Sequence, residues 1–167
     1  SYKDMNVNFN IKENVDRIYP EIVKIRRHIH ENPELSQHEK ETSALVCMVL
    51  DEYGISYQRG IAGYGVVARI GHGQKAVGIR ADMDALPISE NTGLPYASKV
   101  EGVMHACGHD MHTAILLGTA MLLKELEPEL DANDSAVKFF FQPAEETIGG
   151  AKQLIEAGCM ENPKVDK

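Results

Sequence analysis

The chain has 167 residues, of which 43% are hydrophobic and 25% charged. That size and mixture describe one folded domain able to bury a core without disulfide staples, and they exclude a disordered segment. The formal net charge of -8 excludes nucleic acid and anionic membrane surfaces as partners, because both are themselves polyanions. No apolar run approaches the roughly 20 residues that a bilayer span needs. The polar start Ser1-Tyr2-Lys3-Asp4-Met5-Asn6 does not read as a signal peptide. Three cysteines, an odd number without framework spacing, fit a reducing compartment, and a cytoplasmic location is expected.

In chain order, Asn14 to Glu31 carries Val15, Ile18, Ile22, Ile25 and Ile29 at steps of three and four, which predicts an amphipathic helix that Pro20 limits or kinks early. Ser36-Gln37-His38-Glu39 reads as a capping box for a second helix, with Ala44, Leu45, Met48 and Val49 on its apolar face and Gly54 as its stop. Ile55 to Arg59, Tyr64 to Ile70 and Ala76 to Ala81 are β-rich runs, and Gly71-His72-Gly73-Gln74 predicts a hairpin between the last two. Asp82 to Ala106 holds Pro87, Gly93, Pro95 and Gly102 and has no periodicity. Irregular segments of that length in a domain usually serve function.

A helix is then predicted from Asp110 to Leu126, with Ala114, Leu117, Ala120, Met121 and Leu122 inward and Pro128 closing it. Val137 to Phe141 reads as a strand covered on both faces, and Gly149-Gly150 leads into a last helix ending near Gly158. Helices alternating with strands make the chain α/β, with a central mixed sheet flanked by helices.

The chemistry concentrates in two places. Cys107 and His109, separated by one residue, can project to the same side and meet one cation. A thiolate beside an imidazole favours Zn, Ni, Co or Mn over Mg or Ca. A buried free cysteine next to a helix-capping histidine is the plainer reading of such a pair. The Gly-containing turn before a helix, with Asp110 and His112 at hand to orient ligands, favours metal. Glu145 and Glu146 follow an apolar strand at the edge where α/β proteins place their sites. One carboxylate of the doublet can bind a cation while the other faces an attacking water; a solvated Glu-Glu pair is the plain alternative. Asp82 and Asp84 share one face past the strand Ala76 to Ala81, as ligand-orienting groups or as turn-capping carboxylates. Arg26, Arg27, His28 and His30 near the first helix's C-terminus are accounted for by the helix dipole, and Cys47 and Cys159 read as structural.

Four segments resemble the M20 metallopeptidase superfamily, and within it the amidohydrolase branch of hippurate hydrolase, N-acetyl-diaminopimelate deacetylase and auxin-conjugate hydrolases. They are Arg26 to Leu35 (RRHIHENPEL), Ile79 to Ile88 (IRADMDALPI), His105 to Asp110 (HACGHD) and Phe141 to Glu146 (FQPAEE). The resemblance implies a zinc-peptidase-like catalytic domain that cleaves N-acyl amino acids to a carboxylic acid and an amino acid. It implies two divalent metal ions (Zn, Mn, Ni or Co), with Cys107, His109 and Glu146 as ligands, Glu145 as general base and Asp82 in a supporting catalytic role. Members of the branch continue with a further histidine ligand, a dimerisation or lid domain and a last histidine ligand, so 1–167 is expected to be a truncated, N-terminal portion of a catalytic domain that dimerises in its full-length form. Alone it is expected to bind metal weakly and to turn over little. A dipeptidase or aminopeptidase of the same superfamily, or a non-catalytic fragment binding a metabolite or a partner chain, are the competing expectations.

Overall fold

The computed structural model describes residues 8–167, and the polar start at Ser1 to Asn6 lies outside them. The elements are α1 (Ile11–Glu31), α2 (Lys40–Glu52), β1 (Ser56–Ile61), β2 (Gly65–Ile70), β3 (Lys75–Asp82), α3 (His109–Glu125), α4 (Glu127–Ala132), β4 (Ser135–Gln142) and α5 (Gly150–Glu156). The four strands form a mixed sheet in the order β1-β2-β4-β3. That order overturns the predicted hairpin between β2 and β3. The hairpin joins β1 to β2 instead, and β4 inserts between β2 and β3, antiparallel to the first and parallel to the second. The Gly71 to Gln74 turn is held by the segment entering β4, with Gly73 N–H donating to Ser135 O at 3.2 Å and Lys75 N–H to Asp134 O at 3.0 Å.

β4 is central because its sequence suits burial on both faces. Phe139 and Phe141 point into a core shared with Ile25 and Ile29 of α1, Val46 and Leu50 of α2, and Leu117 and Met121 of α3. Phe140 points the other way, against Leu154 of α5 and Cys159. Each buried phenylalanine contributes roughly 2–3 kcal/mol of apolar transfer. α1 lies tightly on α3 at Gly118, where an added Cβ would stand 2.2 Å from Ile22 Cδ1.

Several helix signals resolve differently from their sequence reading. α1 starts at Ile11, capped by the Asn10 side chain, which accepts from Glu13 N–H, and runs on through Pro20. The expected capping box at Ser36 does not form. α2 begins at Lys40, and the Glu34 carboxylate takes the N–H groups of Glu41 and Thr42 at 3.0 and 2.6 Å. The buried face of α2 runs through Thr42, Val46, Cys47, Val49 and Leu50, while Met48 is exposed. Pro128 does not merely end α3; it sits in the first turn of α4.

β3, α3 and β4 form a parallel crossover, so the carboxyl ends of β3 and β4 lie side by side with Asp82 opposite Gln142. Thr113 Oγ1 donates to Asp82 O at 2.9 Å, which brings the first turns of α3 to the same end. On the outer side of β3, Val165 bridges to Ala76, Asp166 N–H donates to Ala76 O and Gly78 N–H to Lys167 O.

Candidate metal centre

The irregular segment 83–108 leaves β3 and returns to α3 without a helix or strand, yet it is fixed at several points. Leu86 and Met104 exchange both backbone hydrogen bonds at 3.0 Å, and Ala85 N–H donates to Glu34 O at 2.8 Å. His30 is buried and bonds Asp110 Oδ2 through Nδ1 at 2.7 Å and Glu90 Oε1 through Nε2 at 2.9 Å, while Arg26 Nε donates to the same Asp110 oxygen at 2.8 Å. Both arginines of the pair, Arg26 and Arg27, also stack over the Tyr96 ring. The helix-dipole account of this turn therefore fails for Arg26 and His30, which anchor the loop and the start of α3.

At the end of that segment Gly108 takes φ of +92°, a left-handed conformation that turns the chain into α3. Cys107 before it and His109 after it face the sheet end, and Glu146 comes from the turn after β4. One ligand atom from each of Cys107, His109 and Glu146 lies within 4.8 Å of the others. A second group, Asp82, His109 and His112, meets the same limit and shares His109. Asp82 Oδ2 is 3.7 Å from His109 Nε2 and 3.8 Å from His112 Nδ1, and its other oxygen accepts from Arg80 Nη1 at 2.7 Å. Glu145 Oε2 and Glu146 Oε1 stand 3.8 and 3.9 Å from His109 Nε2. All five residues singled out in the sequence, Asp82, Cys107, His109, Glu145 and Glu146, thus meet at one end of the sheet.

The group that orders them is Asp84, fully buried. His109 Nδ1 faces both Asp84 O at 2.9 Å and Asp84 Oδ1 at 3.1 Å. Two acceptors at one ring nitrogen make it the protonated one and leave Nε2 directed at the cluster. Asp84 Oδ2 accepts from Ser36 Oγ at 2.6 Å and from Glu146 N–H at 2.9 Å. Asp110, expected to orient ligands, instead serves His30 and Arg26. His112 stands beside Asp82 with its side chain about half exposed. The position of Asp84, two residues past Asp82 at a strand end, was the available sequence signal for its role.

The charges of the cluster follow from these contacts. Burial alone would raise the Asp84 carboxyl, but hydrogen bonds from His109, Ser36 and Glu146 N–H outweigh it and hold the group at about 2. Burial would lower His109, but Asp84 and Asp82 overcome it and lift the imidazole to about 9. Burial, with Glu146 adding to it, pushes the Cys107 thiol up to about 11. His105 is buried, without a protein partner for either ring nitrogen, and burial pushes it down to about 4.

Residues 78–167 match the model of peptidase family M20/M25/M40. Over 142 residues the chain is 53% identical to IAA-amino acid hydrolase ILR1-like 5 of Arabidopsis thaliana, covering 84% of this chain and 32% of that protein. Over 150 residues it is 47% identical to the N-acetyl-L-cysteine deacetylase of Bacillus subtilis, covering 89% of this chain and 35% of the relative. The fold matches the crystal structure of the Bacillus subtilis YXEP protein, described as a dinuclear metal binding peptidase from the M20 family, with a TM-score of 0.82 at 45% identity over 89% of this chain and 42% of that one. The chain spans about a third of the length of these curated relatives. With its family model covering more than half of its residues and its sheet end built as described, the chain belongs to peptidase family M20/M25/M40.

Proposed function

We propose that this chain is the N-terminal portion of the catalytic domain of a metal-dependent amidohydrolase that cleaves N-acyl amino acids to a carboxylic acid and an amino acid. The observation that carries the reading is the approach of Cys107, His109 and Glu146 to within 4.8 Å of one another. Their chemistry fits a cation: a thiol, an imidazole whose Nδ1 is committed to Asp84, and a carboxylate. Asp82 and His112 stand beside it as further donors, but both groups share the one free nitrogen of His109 and so account for one ion; the second, with both drawn from Zn, Mn, Ni and Co, is supported by the relative described as a dinuclear metal binding peptidase. The names of the relatives, an amino-acid-conjugate hydrolase and an N-acetyl-amino-acid deacetylase, support the substrate class.

Divalent cations, when bound, supply Lewis acidity for activating water and polarising the amide carbonyl. The protein's own groups do the rest. Glu145 is the more exposed member of the doublet, with its side chain 39% exposed against 28% for Glu146, and it takes the proton of the attacking water. As the new C–O bond forms and the C–N bond breaks, Glu145 returns that proton to the leaving amine, a contribution of about 10²–10⁴-fold. Asp82, pinned by Arg80, keeps its free oxygen toward His109 and His112. The remainder of the catalytic domain, a lid or dimerisation domain, a homodimer and a cytoplasmic setting belong to the same reading.

The test uses the complete protein that contains this chain, loaded with Zn or Mn and given hippurate, N-acetyl amino acids and dipeptides. N-acyl amino acids are the preferred substrates, and Glu145→Gln cuts turnover by about 10²–10⁴-fold while metal content is unchanged. Preference for dipeptides would shift the reading to a peptidase. Turnover indifferent to Glu145→Gln would overturn it.

A further inference from the structure

The turn that delivers Glu145 and Glu146 is held in an unusual conformation. Ala144, two residues past β4, has φ of +52°, in the left-handed region that a residue with a Cβ adopts at a cost. Its N–H is taken by Glu39 Oε1 at 2.8 Å, its O by Gly150 N–H at 3.2 Å, and the next held amide, Glu146 N–H, goes to Asp84.

Glu39 is a strange residue for this duty. It precedes α2 but gives that helix no side-chain cap, and it is fully buried with Oε2 lacking any protein partner. Leaving a carboxyl oxygen unsatisfied inside a protein is costly, and α2 gains nothing from it, because Glu34 supplies the helix's cap. The long-range connection of the Glu39 side chain is the hydrogen bond from Ala144.

We propose that Glu39 is a positioning residue: its buried carboxyl group accepts the Ala144 amide and thereby holds the turn after β4 in the left-handed conformation that brings Glu145 and Glu146 to His109. Burial pushes the Glu39 carboxyl above its ordinary range against the pull of the Ala144, Glu39 and Gln37 amides, which agrees with a group acting as an acceptor rather than as a counter-ion. The inference rests on the proposed metal site for its consequence, but its structural half can be measured apart from it.

The experiment measures amide hydrogen exchange and Zn²⁺ affinity on the complete protein that contains this chain and on its variants. Glu39→Ala should raise the exchange rate of the Ala144 amide at least tenfold while the interior amides of β4 keep their protection, and should weaken Zn²⁺ binding about tenfold. Glu39→Gln, which retains an acceptor oxygen, should hold both within about twofold. If E39A does not fold, E39D, which withdraws the oxygen by one methylene, takes its place with the same expectations. The proposal is overturned if Ala144 exchange stays unchanged without the carboxyl, if Zn²⁺ affinity stays unchanged, or if E39Q loses as much as E39A. Should the unaltered protein take no Zn²⁺ at all, the metal reading fails, and the exchange of the Ala144 amide still decides the role of Glu39.

Discussion

The segment 83–108 and the strand β4 are both well fixed, but by different forces. β4 is fixed by apolar burial, with phenylalanines packed on both faces of the sheet. The 83–108 segment has no regular structure and is fixed by buried polar contacts: His30 between Asp110 and Glu90, Arg26 on Asp110, and Asp84 gathering Ser36, His109 and Glu146. Apolar packing tolerates gradual change, whereas a buried ion pair deprived of one member leaves a stranded charge. The site is built from the second kind of material and rests on the first.

The sharpest way to break the comparison is to remove a side chain from each region. Phe139→Ala, at a fully buried position, should cost about 3–5 kcal/mol and lower the denaturation midpoint of every probe together. Asp110→Ala strands Arg26 and His30 and should cost about 3 kcal/mol. That loss should show first as proteolytic opening of 83–108 while β4 keeps its exchange protection. Simultaneous loss of both regions in Asp110→Ala would mean that they are not separable.

A third measurement concerns protons at the cluster. His109 is held up at about 9 and Cys107 at about 11, so near neutral pH both carry protons that a cation must displace. Metal affinity should therefore rise with pH, by up to about a hundredfold per unit below pH 9 when both protons leave. Titration calorimetry in buffers of different ionisation enthalpy counts those protons, and an affinity flat in pH would contradict the charge assignment. The smallest effect belongs to the apolar side. Tyr53 donates to Glu21 Oε2 at 2.7 Å, and burial together with that bond raises its phenol to about 12 from 10.0. A raised folded value means that its contribution is complete below about pH 10 and is lost as pH climbs through 12. Tyr53→Phe should cost about 1 kcal/mol at pH 8 and flatten that alkaline decline in denaturant melts.

The same contrast explains what could be read from the sequence. Apolar periodicity located α1, α2, α3, β3 and β4 to within a few residues, because those elements are fixed by the residues they bury. It failed at the β2–β3 connection, where Gly71-His72-Gly73-Gln74 has turn composition but β4, some sixty residues on, takes the pairing position. Local composition carries no sign of such an insertion. Among site residues, Asp82, Cys107, His109, Glu145 and Glu146 stood out by chemistry and by place at element ends. Asp84 was read, with Asp82, as a ligand-orienting group or a turn cap without His109 being named as its partner, and Glu39 was read as part of a capping box. Both act through polar contacts with segments distant in sequence, for which no periodicity exists. Ser36 misled for the same reason: its hydroxyl is spent on Asp84 rather than on α2.

β3 pairs with β4 on one side, and on its other side its free backbone groups are a place for a further strand to pair. The residues Val165 to Lys167 shield its first half by bonding Ala76 and Gly78. Alternation along a parallel strand makes Arg80 the next residue whose backbone faces outward. Its guanidinium donates to Asp82 and Gln142, so the side chain is committed to the carboxyl ends of β3 and β4. A strand that carried the Val165 to Lys167 pairing further along β3 would reach Arg80, so the outer pairing of the sheet and the setting of the site's aspartate meet in one residue.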